Sequence, residues 1–527
     1  FGVHAEETPQ SSTMHDTKTV PETHPFPGHG SVLHRGFGIL VGLVSLLGYG
    51  YFLEYMRSDY QLRSEDVLGR QMTDYVQMWV PIFVVTIFLE TLWAFLTGRT
   101  GYWRVNDMIG SMGTGIIMVV LKAAVAVLFA IAPYEYVWHN YRLTDYFQHG
   151  GLFAWWCMFI GVDFAYYWVH RTGHTMSCFW AMHSIHHQSE ECNLTTALRQ
   201  SSLHSLASNF YYVPLALLFP PHLFYIHSQF NLLYQYFLHT EVIGKLGPLE
   251  WVLNTPSQHR LHHGRQPYAI DTNYGGTLSV WDRVFGTFQE EIDEFPPAYG
   301  ITHALNTFDP FYANIHPWLG ILQNMRSVNG LRNKFLCLYN GPGWIPGSEP
   351  AAEYEIPPCT RETVVKYDPA LPGLFQVYLL LQFACAIAMQ SLVVANLRSP
   401  DPALIQLAMV GVCLLFVTLY SLAALCDRRH FAFALEVARL LALCAFALYL
   451  VEHLGSGIDW YGKQTVAVLV FTAHSLCWLI SYRAEICTPL QDFELGHDLP
   501  AAAEAHRRIE QRIAHKIVVN RCWIKDE

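Results

Sequence analysis

The sequence predicts an all-α integral membrane protein, a multi-span helical bundle, and three observations predict it. Hydrophobic residues make up 52% of the 527 positions and charged residues 14%, the balance of a chain that lives in lipid rather than of the three or four soluble domains its length would otherwise give. Apolar runs long enough to cross roughly 30 Å of hydrocarbon recur along the chain. Three histidine clusters with helical spacing lie beside apolar segments between residues 170 and 263.

Residues 1–34, rich in Pro, His, Thr and Glu without apolar periodicity, read as a disordered lead-in. The sequence opens at Phe1, with Met14 as a candidate natural start, and the first apolar run serves as an anchor in place of a signal peptide. A membrane domain carrying the histidine clusters is expected over 35–325, with spans near 36–56, 77–98, 110–133 and 151–169. The apolar stretch at 206–238 is broken by Pro214, Pro220 and Pro221, so a bent hairpin that enters, returns and covers the clusters is expected there. A segment outside the membrane follows from about 240 to 372. Its last part, 326–372, is a linker that includes the turn-rich run Gly341-Pro-Gly-Trp-Ile-Pro-Gly347. Four further spans near 373–397, 404–425, 431–452 and 464–481 form a separate bundle over 373–482, and 483–527 is a tail. Within that tail, 501–518 has helical spacing and a basic face suited to a membrane surface.

Orientation follows from short-loop Lys and Arg. Arg428, Arg429, Arg483, Arg507, Arg508, Arg512 and Lys516 fall on one side, against Arg398 and Lys463 on the other, which puts the tail and the histidine region in the cytoplasm. Arg57, Arg63 and Arg70 then face outward. The twelve cysteines show no regular spacing, so no disulfide framework is expected. The net charge of −11 comes without a basic stripe interleaved with aromatics, and nucleic acid is set aside as a partner.

The clusters are His170-Arg-Thr-Gly-His174, His183-Ser-Ile-His186-His187 and His259-Arg-Leu-His262-His263. Residues three and four apart share a helix face, so each cluster aims its imidazoles to one side, where they can converge. A structural zinc takes four ligands, usually with cysteine among them; eight histidines suggest two metal ions. Imidazole suits iron, zinc, copper and nickel. Two metals held by neutral imidazoles at the cytoplasmic end of a bundle suit an iron centre that activates O2 against a C–H bond. The membrane supplies a lipid whose tail slides between helices. The competing readings are a metal transporter, whose His would line a path near the bilayer centre, and a zinc-stabilised scaffold.

The set H-x-x-x-H, H-x-x-H-H, H-x-x-H-H resembles the fatty acid hydroxylase / sterol desaturase superfamily of integral-membrane di-iron enzymes, over about 77–290. Glu90-Thr-Leu-Trp, Asn106-Asp107, the run from Asp163 to Arg171, the run from His187 through Asn193 to Arg199, and the run from Asn273 through Trp281 and Asp282 to Thr287 look most like the alkylglycerol monooxygenase branch. One position departs from it: Thr175 stands where that branch carries glutamate directly after the first histidine pair. The resemblance implies that His170, His174, His183, His186, His187, His259, His262 and His263 are the metal ligands, with His239 as a further histidine near the metals. Asp163, two helical turns before His170, either fixes a ligand imidazole in its tautomer or pairs with a buried Arg. Asn193, Arg199, Asn273 and Asp282 are supporting groups around the metals or ordinary loop caps. Trp155, Trp156, Tyr166, Tyr167 and Trp168 read as packing or interfacial anchors.

The resemblance implies O2-dependent hydroxylation of a lipid alkyl chain at the carbon next to an ether oxygen, in the endoplasmic reticulum or a bacterial inner membrane. The same machinery acting on a sterol or fatty acyl chain, as hydroxylase or desaturase, is the alternative. No dinucleotide fingerprint or fused heme motif is present, so electrons come from outside: tetrahydrobiopterin in the alkylglycerol branch, an external electron-carrier protein in the others. Zinc is expected as a substitute for iron in overexpressed protein.

Overall fold

Helix ends in this protein are set by caps, prolines and single extended residues. The computed structural model describes residues 73–129, 132–148, 151–347, 359–454 and 459–483, with short pieces at 47–48, 51 and 54–57. Asp74 caps α1 (Tyr75–Met78) by accepting from Gln77 N, and α2 (Val80–Leu96) starts with Pro81 in its first turn. Then come α3 (Val105–Phe129), α4 (Ala132–Tyr141), α5 (Leu152–Thr175) and α6 (Ser177–His187). One extended residue, Met176, separates α5 from α6 and folds them onto each other. Asn193 closes a capping box on α7 (Leu194–Ala197).

The 206–238 stretch is bent where its prolines stand. It runs as α8 (His204–Tyr212), a 3-10 turn at Val213–Leu217 holding Pro214, and α9 (Pro221–Tyr236) with Pro221 in its first turn. α8 packs on both α5 and α6. Beyond it lie α10 (Pro256–His262), α11 (Val280–Val284), α12 (Pro310–Ser327) and α13 (Leu331–Tyr339). The described residues end with α14 (Gly373–Leu397), α15 (Pro402–Cys426), α16 (Ala432–Leu454) and α17 (Asp459–Ser481). Among the described residues there is no strand, only two isolated bridges, Leu253 with Leu278 and Gly264 with Tyr299.

Among the described residues, five helical segments are long and apolar enough to cross a membrane: Val105–Ala124, Leu152–Thr175, Gly373–Leu397, Pro402–Cys426 and Ala432–Leu450. They fit an integral membrane protein. Eight spans are expected, and those near 36–56, 77–98 and 464–481 are not among these five. α2 holds 17 residues, about 25 Å at 1.5 Å per residue, short of the hydrocarbon thickness. α17 contains the apolar stretch Val468–Ser481, and its side chains before 468 lie outside the described residues. Most of the span at 36–56, the lead-in at 1–34, and the tail with its basic helix at 501–518 lie outside the described residues.

Two apolar cores result. Trp155, Met158, Val162 and Val169 of α5 join Leu223, Phe224, Phe230 and Leu233 of α9 in the first. In the second, Met108, Ile109, Ile116 and Val120 of α3 pack with Phe375, Leu379, Leu415, Leu419 and Leu440 of the C-terminal helices. The C-terminal helices thus share a core with the histidine-bearing region through α3. Asp427, just past α15, strengthens that join by accepting from Phe308 N at 2.9 Å and from Thr307 Oγ1.

Candidate metal centre

α5 ends by carrying His170 and His174 on one face, α6 carries His183, His186 and His187, α10 carries His259 and His262 with His263 at its C-cap, and His239 follows α9 by three residues. All nine are buried. Their ring nitrogens gather into two groups, each able to hold a metal ion, with ligand atoms within 4.8 Å of one another: His170, His174, His183, His187 and His262 in one, His186, His239, His259 and His263 in the other.

The two H-x-x-H-H clusters are divided reciprocally. His183 and His187, four apart, serve the first group while His186 crosses to the second; His259 and His263 serve the second while His262 crosses to the first. The 100° step of a helix leaves i and i+4 nearly aligned and swings i+3 to the other flank. The expectation that each cluster converges on a single centre is therefore corrected for these two clusters. His187 and His263 stack across the divide, ring centroids 4.4 Å apart.

Backbone carbonyls orient the rings. Nδ1 donates to Tyr274 O from His170 at 2.9 Å, to Arg199 O from His186 at 3.0 Å, to Gln235 O from His239 at 2.9 Å and to Thr272 O from His262 at 2.7 Å. A carbonyl only accepts, so each of these Nδ1 atoms carries the proton and each Nε2 keeps a bare lone pair. Yet His186 Nε2 and His239 Nε2 lie 2.9 Å apart, and Nε2 of His170, His174 and His262 have no partner. Facing lone pairs repel unless a cation sits between them. A proton does not serve: burial pushes His239 down to about 4 and His183, His186, His187, His259, His262 and His263 well below their ordinary range. The donor set fits metal ions, and all-imidazole coordination with the hydroxylase resemblance points to iron.

The carbonyls are themselves held. Asp163 accepts from Thr277 N at 2.6 Å, Leu278 N at 3.0 Å, Trp281 Nε1 at 3.0 Å and Asn231 Nδ2 at 2.8 Å. It touches neither an imidazole nor an arginine among these partners; its influence on His170 runs through the 274–278 loop. Asp282 fixes the same loop, accepting from Tyr274 N and Gly275 N. A side chain at Gly276 would meet Asn231 Nδ2 at 2.8 Å and Asp163 Oδ1 at 2.9 Å, so only glycine lets this loop approach.

Asn273 takes a left-handed φ of 56° and bonds Gln258 O, Gln289 O and Gln289 N, which sets Thr272 O against His262. Arg199 donates to Ile185 O and Gln188 Oε1, placing its own carbonyl on His186. Gly115 on α3 allows this, because a Cβ there would meet Leu198 O at 2.3 Å. Asn193 caps α7 and donates to Tyr102 O. Trp155 and Tyr167 are buried packing groups, Tyr166 and Trp168 half-buried, and Trp156 exposed.

Sequence reasoning missed Asp271, whose Oδ1 lies 3.4 Å from His174 Nδ1, and Glu250, which accepts from Thr255 and Ser257 at the start of α10. It also missed His204, whose ring lies 6.2 Å from that of His183. Thr175 is exposed, and its hydroxyl donates back to Arg171 O at 3.0 Å.

Residues 155–287 match the family model described as fatty acid hydroxylase. Alkylglycerol monooxygenase of Xenopus tropicalis is 42% identical over 383 residues, 72% of this chain and 82% of the relative. The Homo sapiens alkylglycerol monooxygenase is 39% identical over 389 residues, 73% of this chain and 84% of the relative. A Lecanicillium fatty acid hydroxylase, vlmA, is 31% identical over 153 residues, 26% of this chain and 41% of its own length. No solved structure matches. The chain belongs to the alkylglycerol monooxygenase family of the fatty acid hydroxylases and is an integral-membrane, O2-dependent oxidoreductase acting on lipid chains.

Proposed function

We propose that this protein hydroxylates the carbon bonded to the ether oxygen of an O-alkylglycerol lipid, with two iron ions held by nine histidines. The observation that carries the reading is the gathering of nine buried imidazoles into a group of five and a group of four, in a chain whose relatives are alkylglycerol monooxygenases. One ion falls to His170, His174, His183, His187 and His262, the other to His186, His239, His259 and His263. Iron bound there supplies O2 activation and the oxidant for hydrogen abstraction.

The chain's own part is to hold, orient and exclude water. Carbonyls of Thr272, Tyr274, Arg199 and Gln235 keep Nδ1 protonated and Nε2 free to ligate. Asp163, Asn193, Arg199 and Asn273 are positioning residues, since each acts on the loops that present the histidines or their carbonyls. In the overall reaction one oxygen atom of O2 enters the C–H bond. The other leaves as water with two protons and two electrons. The hemiacetal so formed breaks its C–O bond to the glycerol, its hydroxyl proton passes to the departing oxygen, and an aldehyde and a free glycerol hydroxyl result.

Tetrahydrobiopterin supplies the electrons in this reading, an external electron-carrier protein being the alternative. The site faces the cytoplasm of the endoplasmic reticulum or of a bacterial inner membrane, supported by Arg428 and Arg429 between α15 and α16. The test is anaerobic loading with Fe(II), then O2 and an alkylglycerol with either a tetrahydropterin or a reduced carrier protein, products read by mass spectrometry. Aldehyde formed with the pterin alone supports both substrate and donor. Oxygen gain or hydrogen loss on a sterol or acyl lipid, without aldehyde, overturns the ether reading.

A further inference from the structure

Between α5, α6 and α8 lies a small cleft, with about 10 Å³ free for water-sized groups, whose floor is the rings of His170 and His183. Its walls are apolar, with Val169, Phe179 and Met182 among them. That is room for about one water-sized group, so a chain end enters only as the side chains lining the cleft give way. It borders α5, itself long and apolar enough to span the membrane, and α8, where Phe210 is exposed. An alkyl chain that opened this cleft from the side of α5 and α8 would stop against two candidate ligand imidazoles.

One polar group on that path has no assignment. His204, at the start of α8, lines the cleft 6.2 Å from His183 by ring centroids and stands outside both metal-binding groups. Its imidazole makes no hydrogen bond among the described residues. A neutral imidazole offers one N–H donor and one acceptor, and leaving both unused beside an apolar cleft costs stability without return. A plain alkyl chain gives such a group nothing to bind. An alkyl ether does, because its oxygen accepts a hydrogen bond and is bonded directly to the carbon under attack.

We propose that this cleft receives the ether-bearing end of the alkyl chain and that His204 donates to the ether oxygen, selecting the adjacent carbon for oxidation. The inference rests on the ether-lipid reading above and adds where that lipid sits and what grips it. His204 is a specificity residue: it contacts substrate and holds no metal.

The test uses the full-length, membrane-embedded protein held anaerobically, and an alkylglycerol bearing a diazirine within the first carbons of its chain. Photolabelling followed by peptide mass spectrometry is expected to mark Val169, Phe179 or Met182. Met182→Trp, which fills the cleft, is expected to cut that labelling at least tenfold with metal content unchanged. With Fe(II), O2 and reductant, His204→Ala is expected to raise KM for the alkylglycerol about tenfold, the worth of one hydrogen bond, and to spread oxidation along the chain. His204→Gln, which keeps a donor, recovers most of both. Labelling on other helices, or a His204→Ala enzyme with unchanged KM and unchanged site of oxidation, overturns the proposal. Aldehyde formation with labelling elsewhere leaves the ether-lipid reading standing and removes the cleft. Labelling in the cleft with no oxidation of an ether lipid removes the ether reading and keeps the cleft as a lipid site.

Discussion

The histidine centre and the C-terminal helices both bury polar groups, and they do so in opposite ways. Among α14–α17, Arg439 and Glu436 are fully buried as an ion pair. Glu436 also accepts from Ser421 Oγ at 2.7 Å and from Tyr378 Oη. Arg439 also donates to Gln382 Oε1 at 2.8 Å, and Gln382 donates to Ser475 Oγ at 2.7 Å. Every one of these groups is partnered, and the network ties all four C-terminal helices together. At the histidine centre the outer nitrogens of His170, His186, His239 and His262 are held by carbonyls and that of His259 has no partner, while inner ones face each other or nothing. A complete network is a clamp; one held from the outside at four rings and open on the inside is preorganised for a ligand.

Removing a histidine should strike the open network hardest. His187→Ala or His263→Ala is expected to abolish activity and lower bound metal, read by elemental analysis, while circular dichroism shows the helices intact. Full activity in either variant would break the comparison at its first term. The clamp should fail differently. Glu436→Ala leaves Arg439 buried without its counter-charge, at a cost of about 3–5 kcal/mol, seen as a fall in the unfolding temperature in detergent. The molecules that remain folded are expected to keep their metal. Metal loss from that folded fraction would mean that the two networks are energetically one, a coupling for which Asp427, Thr307 and Phe308 are the physical route.

Asp163 sits between these extremes. Asp163→Asn keeps the shape but replaces one acceptor oxygen with an amide nitrogen, so that either Thr277 N or the pair Leu278 N and Trp281 Nε1 loses its acceptor. Loosening the loop that carries Tyr274 O is expected to weaken metal binding about 10–100-fold, the usual toll of disturbing a ligand's support, measured by chelator competition. An unchanged affinity would show that the carbonyl on His170 is held without Asp163.

The histidines themselves were legible in the sequence, because spacings of three and four on a helix announce a shared face. Their reciprocal crossing between two groups was not, since it depends on how α6 and α10 face each other across some seventy residues of chain. The orienting partners were less legible still. Four are backbone carbonyls, which no residue type advertises, and Asp163 was placed on the right helix face without its true partners, the amides of 277 and 278. Hydropathy found the five long helices but overran α2, whose end at Thr97 and Gly98, with φ of 71°, is a matter of local backbone geometry. Pro214 and Pro221, by contrast, marked their breaks outright, because a missing N–H is visible in the residue name.

The smallest effect belongs to Thr175, at the last residue of α5. Its side chain is exposed and spends its hydroxyl on Arg171 O, so it takes no part in either network. Thr175→Glu would set a negative charge at the negative end of the helix, a cost of about 0.3–1 kcal/mol, directly after His174 in the chain and close to Gly341 of the following linker. The resemblance that puts glutamate at this position implies that the variant raises ether-lipid turnover modestly at unchanged metal content, compared by initial rates at saturating reductant. The rise should be largest at low concentrations of that reductant if the carboxylate helps to seat it beside the site. A drop in ether cleavage, with sterol or acyl oxidation retained, would instead mean that the rim of the open network is tuned in this chain to Thr175 and to a different lipid.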